Sequence, residues 1–354
     1  MDLLERTAAL VDVASVSHDE GPLTDLIEAE LRGVPWLTVD RVGDNVVART
    51  DLGRSTRLVL AGHSDTVPPN GNERARVEGD VLHGCGASDM KGGLAVMLEL
   101  ATSIDDPAVD VTYVFYAGEE VAAEHNGLGH LFRDRPDLLA GDVALLGEPT
   151  DGAIEAGCQG TMRVALTVRG ARAHTARPWT GRNAIHRIGA LLSMLETRQD
   201  WRRVVVEGCE YREAVSAVFV AGGVAANVVP DEVTLTLNHR FAPDRNGAQA
   251  EAELRTALSP YFEAGDDWQL VDVAEGAVPG LTHRLLRTFV ERNRLDVRAK
   301  LGWTDVARFA AHGIPASNFG PGDPLLAHTA DERVSRAQLE RCRAALTDLL
   351  TMPV

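Results

Sequence analysis

The run Arg57-Leu58-Val59-Leu60-Ala61-Gly62-His63-Ser64-Asp65 passes from apolar residues to a histidine and a carboxylate across a single glycine. A short apolar run bounded in this way reads as a buried strand whose end delivers polar groups into a loop. The pattern recurs. Val111 to Tyr116 is β-branched and aromatic and leads into Ala117-Gly118-Glu119-Glu120, and Asp142 to Leu146 leads into Gly147-Glu148-Pro149-Thr150. Helical segments lie around these strands: Leu3 to Val13, Pro22 to Leu31 with Leu23, Leu26, Ile27 and Leu31 apolar, and the apolar Gly92 to Ile104. Strands alternating with helices predict an α/β fold, a mixed and mainly parallel sheet flanked by helices. Functional groups in such sheets collect where strands end and loops meet, and the polar motifs here sit just after strands.

The middle of the chain has another rhythm. Met162 to Val168 alternates, Asn183 to Leu195 reads as a helix, Glu213 to Val220 and Glu232 to His239 as strands, and Ala248 to Leu258 as a helix. This β-α-β-β-α-β order suggests a small α+β, ferredoxin-like domain. From Leu281 the first style returns, with a helix, the strand Val297 to Leu301, another helix and a last one from Ser335 to Leu350. The expectation is one α/β domain, residues 1–160 and 274–354, interrupted by an inserted domain at 161–273.

Composition narrows the function. The 354 residues carry 35 Lys and Arg against 52 Asp and Glu, a formal net charge of -17. A nucleic-acid binder needs a basic surface to displace counterions from phosphates, so that class is disfavoured, as is adhesion to an anionic membrane. No window reaches the roughly 18 apolar residues of a membrane span. The opening Met1-Asp2-Leu3-Leu4-Glu5-Arg6 shows no basic run followed by an apolar stretch, so no signal peptide is expected. Cys85, Cys158, Cys209 and Cys342 lie far apart with no C-x-x-C pair, which fits a reducing cytoplasm.

The loops carry the chemistry. His63 and Asp65, two apart at a strand end, point to one face. A metal-bound imidazole usually has its other nitrogen held by a carboxylate or carbonyl, a part that suits Asp65, although a histidine after a strand is more often structural. In His83-Gly84-Cys85-Gly86-Ala87-Ser88-Asp89-Met90-Lys91-Gly92-Gly93 the glycines bring Asp89 near a helix N-terminus, either as an ordinary cap or as a carboxylate bridging two ions. Glu119 and Glu120 are costly to bring together unless a cation or a water separates their work. They form either an acidic loop on an acidic protein or a pair in which Glu120 ligates metal and Glu119 takes a proton from bound water. Glu148 follows a third strand, and Pro321-Gly322-Asp323-Pro324-Leu325-Leu326-Ala327-His328-Thr329 adds a distant histidine. Two histidines and three carboxylates suit zinc, cobalt or manganese and are poor for copper(I) or iron–sulfur. Divided around Asp89, each ion receives one histidine and one glutamate.

In this order the five blocks resemble the acetylornithine deacetylase/succinyl-diaminopimelate desuccinylase family of co-catalytic metallohydrolases, over nearly the whole chain. Within it, Glu119-Glu120-Val121 with Asn126-Gly127-Leu128-Gly129, Gly157-Cys158-Gln159-Gly160-Thr161 and Trp303-Thr304-Asp305-Val306-Ala307-Arg308-Phe309 are most similar to the actinobacterial branch of desuccinylases. Cys158-Gln159 stand where better-known desuccinylases carry a Gly-Arg-Arg-Gly-Ser run, and Cys85 where many relatives carry arginine. These departures touch the substrate pocket and leave the ligand set intact.

The resemblance implies a zinc-peptidase-like catalytic domain and an inserted dimerisation and lid domain. It implies hydrolysis of N-succinyl-L,L-diaminopimelate to succinate and L,L-diaminopimelate, for lysine and cell-wall synthesis, with two divalent ions, Zn2+ first and Co2+ or Mn2+ as alternatives. The catalytic set becomes Glu119, Asp65 and His174, the last in Gly170-Ala171-Arg172-Ala173-His174-Thr175 and reaching across a homodimer to steady the oxyanion. Asn227, Arg240, Arg177 and Thr304 are implied to bind substrate, with Arg182 a further source of positive charge. Rivals with the same metals are another N-acyl-amino-acid deacylase, such as an acetylornithine deacetylase or aminoacylase, and a dipeptidase. A non-catalytic metal-binding scaffold is the rival of another class, and the presence of every ligand together with Glu119 speaks against it.

Overall fold

The computed structural model describes residues 2–198 and 200–352. They form two compact units, one from residues 2–157, 279–298 and 304–352, the other from Cys158–Val278 with Ala299–Trp303. Among the described residues no helix is long and apolar enough to cross a membrane.

The first unit is built on an eight-stranded sheet. In spatial order its strands are Thr38–Val42, Asn45–Arg49, Asp110–Tyr116, Arg57–His63, Val143–Leu146, Ala316–Asn318, Ile154–Ala156 and Val297–Ala299. The four from Asp110–Tyr116 to Ala316–Asn318 are parallel, and the strand on either side of them pairs antiparallel. Asp110–Tyr116 and Val143–Leu146 are buried throughout, and Arg57–His63 at every position but its first, as strands covered on both faces should be. Helices Leu3–Val11, Lys91–Ser103 and Arg336–Thr351 pack on one another, with Lys91–Ser103 against Arg57–His63. The first and last begin with capping boxes, Asp2 with Glu5 and Ser335 with Gln338, which satisfy amides that a helix start leaves open. Register then decides where the loops emerge. His63 lies opposite Tyr116, and Ala61 and Asn318 lie opposite Leu146. The loops after these four strands therefore leave the sheet side by side.

The second unit is a five-stranded antiparallel sheet in the order Arg202–Val206, Cys209–Gly222, Glu232–Phe241, Gly160–Arg169 and Asp267–Ala274. Gly160–Arg169 and Glu232–Phe241 alternate buried and more exposed residues, the signature of a sheet with one covered face. Met162, Val164, Leu166, Leu235 and Leu237 on that face meet Leu191, Leu195, Leu254 and Leu258 from the helices. The β-α-β-β-α-β order is present with an added edge strand, Arg202–Val206. It is joined to the next by a two-residue turn in which Glu207 (φ 47°) and Gly208 (φ 83°) are both left-handed, the backbone a tight hairpin requires. The expected helix from Asn183 to Leu195 is two, Ala184–Arg187 and Gly189–Thr197, broken where glycine weakens helical propensity. The expected strand to Leu301 stops at Ala299. The next residues join the second unit, where the Gln159 amide donates to the Lys300 carbonyl at 3.2 Å and Trp303 Nε1 donates to the Glu275 carbonyl at 3.0 Å.

One buried charge anchors this unit. Glu213 is 1 % exposed, and its carboxylate accepts from Arg245 Nη2 and from the Ala242 amide, both at 2.9 Å. Burial pushes its pKa up, but Arg245, His239 and the Ala242 amide outweigh burial and hold it well below 4.5. A carboxyl with a depressed folded-state pKa stabilises the fold above its unfolded value, and that stabilisation is lost as pH falls towards the folded value. Glu213→Gln is expected to cost about 3 kcal/mol at pH 7, as when one partner of a buried ion pair is removed. In urea unfolding the gap between parent and variant should shrink as pH drops below 4.5; a gap that stays constant would contradict this account.

Candidate metal centre

The four side-by-side loops bring together side chains from distant parts of the first unit. His63, Asp89 and Glu148 offer ligand atoms that all lie within 4.8 Å of one another, and so do Asp89, Glu120 and His328. A third, overlapping group is His63, Glu119 and Glu120. Asp89 belongs to both of the first two. Its Oδ1 is 3.0 Å from His63 Nε2 and its Oδ2 is 3.5 Å from His328 Nε2, while His328 Nε2 is 2.8 Å from Glu120 Oε1. Each oxygen of one carboxylate thus faces a different histidine. The alternative role of helix cap is excluded for Asp89, because the N-cap position of Lys91–Ser103 is Met90 and no side chain caps it.

The orientation of His63 follows from its neighbours. Nδ1 lies 3.0 Å from the Asp65 carbonyl, which can only accept. Nδ1 therefore carries a proton, which leaves Nε2, 3.0 Å from Asp89 Oδ1, as the nitrogen that a cation would take in place of a proton. The carboxylate of Asp65 is 3.5 Å away and has other work: Oδ1 accepts from the Glu119 amide, and Oδ2 from the Glu120 amide, both at 3.0 Å, and Oδ2 also from Ser17 Oγ at 2.8 Å. Next along the same loop, the Gly118 amide donates to Glu20 Oε1 at 3.1 Å. Two buried carboxylates thereby take three consecutive amides and fix the backbone that carries Glu119 and Glu120. Sequence reading missed Glu20 and Ser17, whose partners are a backbone amide and a carboxylate far along the chain.

Close packing sets the remaining distances. Met90 is fully buried, and its Sδ lies 3.3 Å from the His63 amide. A Cβ added at Gly62, Gly93 or Gly147 would fall 2.5, 2.9 or 2.8 Å from Met90 Cε, and one at Gly93 would also fall 2.3 Å from the Gly147 carbonyl oxygen. The start of helix Lys91–Ser103 can approach the strand end before Glu148 only because no side chain intervenes.

The electrostatics ask for cations. Burial opposes charge on His63, yet Asp65 and Asp89 drive its pKa well above the usual histidine value, and Asp89 and Glu120 raise His328 to about 10. Burial would raise Asp89, but His328 and His63 hold it well below the usual carboxylate range. Asp65, raised by burial, is brought to about 2 by His63 and the amides of Glu119 and Glu120. Glu119 moves the other way. Burial lifts its pKa well above 4.5 against the pull of His63, with Glu148, Asp305 and Glu120 adding to the rise, which suits a group that must take up and return a proton. Three carboxylates and two imidazoles so grouped fit a pair of divalent cations with oxygen and nitrogen preferences.

The remaining expected site residues are distributed as follows. Thr304 is buried in the first unit, where its hydroxyl donates to Asn318 Oδ1 at 3.1 Å. His174, Arg177, Arg182, Asn227 and Arg240 belong to the second unit. His174 pairs with Val228, and the Thr175 amide donates to the Asn227 carbonyl at 3.0 Å, so His174 and Asn227 share one end of that unit. The Arg177 amide donates to the His174 carbonyl at 2.8 Å, and the Arg182 guanidinium is engaged by Glu263. Arg240 is half-buried at the far end of Glu232–Phe241, opposite Thr161. Eight residues of strand, about 26 Å at the usual rise, separate it from the end that carries His174 and Asn227, so the second unit does not bring these groups together within one chain.

A model of peptidase family M20/M25/M40 matches residues 59–352. The chain belongs to that family. A Mycobacterium tuberculosis (strain H37Rv) protein provisionally named succinyl-diaminopimelate desuccinylase DapE is 53 % identical over 94 % of this chain and 93 % of its own. The succinyl-diaminopimelate desuccinylase of Corynebacterium glutamicum is 44 % identical over 99 % of this chain and 96 % of its own. Among solved structures, a tripeptidase from Staphylococcus aureus shares the fold with a TM-score of 0.78 at 20 % identity, covering 98 % of this chain and 96 % of its own.

The double amide clamp generates a prediction. Asp65→Asn keeps one accepting oxygen and turns an N–H group towards a backbone donor, so the Glu119–Glu120 loop should loosen without the loss of any ligand. Turnover is expected to fall about 10–100-fold, the usual cost of disturbing groups that orient a metal site, with metal content near that of the parent. Steady-state kinetics beside elemental analysis will decide it, and parental turnover would rule the clamp out as a determinant of activity.

Proposed function

We propose that this family member hydrolyses N-succinyl-L,L-diaminopimelate to succinate and L,L-diaminopimelate. The observation that carries the chemistry is the carboxylate of Asp89 facing His63 with one oxygen and His328 with the other. The substrate rests on the likeness to proteins named for that reaction, at 44 % identity over nearly the full chain in one case. Zinc is our choice of metal, with cobalt and manganese suited to the same donors.

His63, Asp89 and Glu148 would hold one ion, and Asp89, Glu120 and His328 the other. Two divalent ions held there would make a water molecule more acidic and polarise the acyl carbonyl. Glu119 takes a proton from the attacking water as oxygen adds to the amide carbon. It returns that proton to the amide nitrogen as the C–N bond breaks, so one water is consumed and an amine leaves. Asp65 keeps Glu119 in place through its amide.

The insert at residues 161–273 we read as a dimerisation and lid domain between the catalytic segments 1–160 and 274–354. The wide separation of Arg240 from His174 and Asn227 supports a homodimer, in which Arg240 of one chain grips a substrate carboxylate by paired hydrogen bonds. His174 and Asn227 then come from the second copy, His174 directing an N–H at the developing oxyanion. Arg177 adds positive charge for a dianionic substrate and Thr304 lines its pocket. Exposed Val218, Phe219 (69 %) and Val220 on the long strand of the second unit offer an apolar surface for the association. Four free, buried cysteines accord with a cytoplasmic enzyme.

Two experiments test this reading. Glu119→Gln should lower kcat by about 10²–10⁴-fold while binding as much metal as the parent, and unchanged kcat would remove Glu119 from the base role. Chelated protein reconstituted in turn with zinc, cobalt and manganese should regain activity on the succinylated substrate above acetylornithine and dipeptides. A preference for an acetylated amino acid or a dipeptide would reassign the substrate, and full activity after chelation would end the metal account.

A further inference from the structure

We propose that Glu332 is a positioning residue that fixes Asp89 and thereby the relation between the two ligand groups. The inference rests on the paired-metal reading above. Glu332 is 2 % exposed, and its side chain is spent on the backbone of one loop. Oε1 accepts from the amides of Ser88 and Asp89, each at 2.9 Å, and Oε2 accepts from the Gly86 amide at 3.1 Å. Its main chain is bound to the same region, since the Gly84 amide donates to the Glu332 carbonyl at 3.1 Å and the Glu332 amide donates to the Thr329 carbonyl at 3.3 Å. Asn72 Nδ2 also donates to the Thr329 carbonyl, at 3.1 Å. The segment from His328 to Glu332 is thus joined to the loop of Asp89 by side chain and by backbone.

The chemistry of the contact selects a carboxylate. A glutamine could offer one oxygen to Ser88 and Asp89, but its NH₂ would then meet the Gly86 N–H, donor against donor. Both oxygens of the carboxyl group accept, and the three amides of Gly86, Ser88 and Asp89 together restrain the loop whose Asp89 side chain both ligand groups share. A residue that only held the chain together would have no need to grasp the amide of Asp89 itself. Placing a negative group beside another carboxylate is unfavourable, so the site keeps Glu332 against a Coulombic cost.

Because Asp89 is common to both groups, loosening it should weaken both ions together, whereas loss of Glu148 should weaken one. The experiment is a Co2+ titration of the metal-free full chain in the parent, Glu332→Gln and Glu148→Gln, followed by chelator competition and by visible absorption of the bound cobalt. Glu332→Gln is expected to raise both apparent dissociation constants about tenfold or more and to alter the absorption band, and Glu148→Gln to raise one. Amide hydrogen exchange in the parent needs no variant, and Ser88 and Asp89 should be protected. Parental affinities and spectrum in Glu332→Gln would overturn the proposal, as would unprotected exchange at Ser88 and Asp89 should that variant fail to fold. A parent that binds no Co2+ would overturn the paired-metal reading and this inference with it, whereas a parent binding two and a variant equal to it would sink only the latter.

Discussion

Like charges packed out of water repel, and the first unit gathers Asp89, Glu119, Glu120 and Glu148 within reach of only two imidazoles. At effective dielectric values suited to a protein interior, two charges about 4 Å apart interact by several kcal/mol. An arrangement that crowded needs compensation from something positive. The residues express the demand themselves, since both histidines are pushed towards protonation and Asp89 towards ionisation. Much else in this unit follows from it. Parallel strands with aligned ends bring the carboxylates to one place, and buried amides hold the loops against the repulsion that results.

Those amides form a second layer of organisation. Gly118, Glu119 and Glu120 give their N–H groups to Glu20 and Asp65, and Gly86, Ser88 and Asp89 give theirs to Glu332. In both loops a run of backbone donors near a future ligand is satisfied by carboxylates that are not ligands. Buried donors must find partners, and one carboxyl group can take two or three of them at once. The acidity of the chain, which on composition alone reads as solubility, is in these places internal structure.

Three of the clustered residues were legible because each has a visible cause. His63, Glu120 and Glu148 each follow an apolar run, and the parallel register that aligns those runs is the ordinary consequence of strands alternating with helices. His328 follows no apolar run and was legible only through its Pro-Gly-rich loop taken together with the other four blocks. Glu332 and Glu20 were not legible: in a chain with 52 acidic residues neither the type nor the spacing of one more acid reveals that it will meet backbone amides. The edge strand Arg202–Val206 was missed although Val204-Val205-Val206 runs into Glu207-Gly208, a β-branched run ending at a turn signal; its intermediate, alternating burial shows how short and marginal that signal is. The adherence of Ala299–Trp303 to the second unit depends on tertiary hydrogen bonds to Gln159 and Glu275, and no local pattern encodes those.

Three glycines around the methyl of Met90 carry a last consequence. Gly62 precedes His63, Gly147 precedes Glu148, and Met90 follows Asp89, so a single thioether rests against the chain beside three donors. Its length works as a spacer gauge. A bulkier neighbour or an oxygen added to the sulfur would wedge these segments apart at once, and no loss of charge would be needed to scatter the cluster. The spot where a small change would scatter the cluster is therefore a buried, uncharged sulfur, out of reach of solvent until the surrounding core opens.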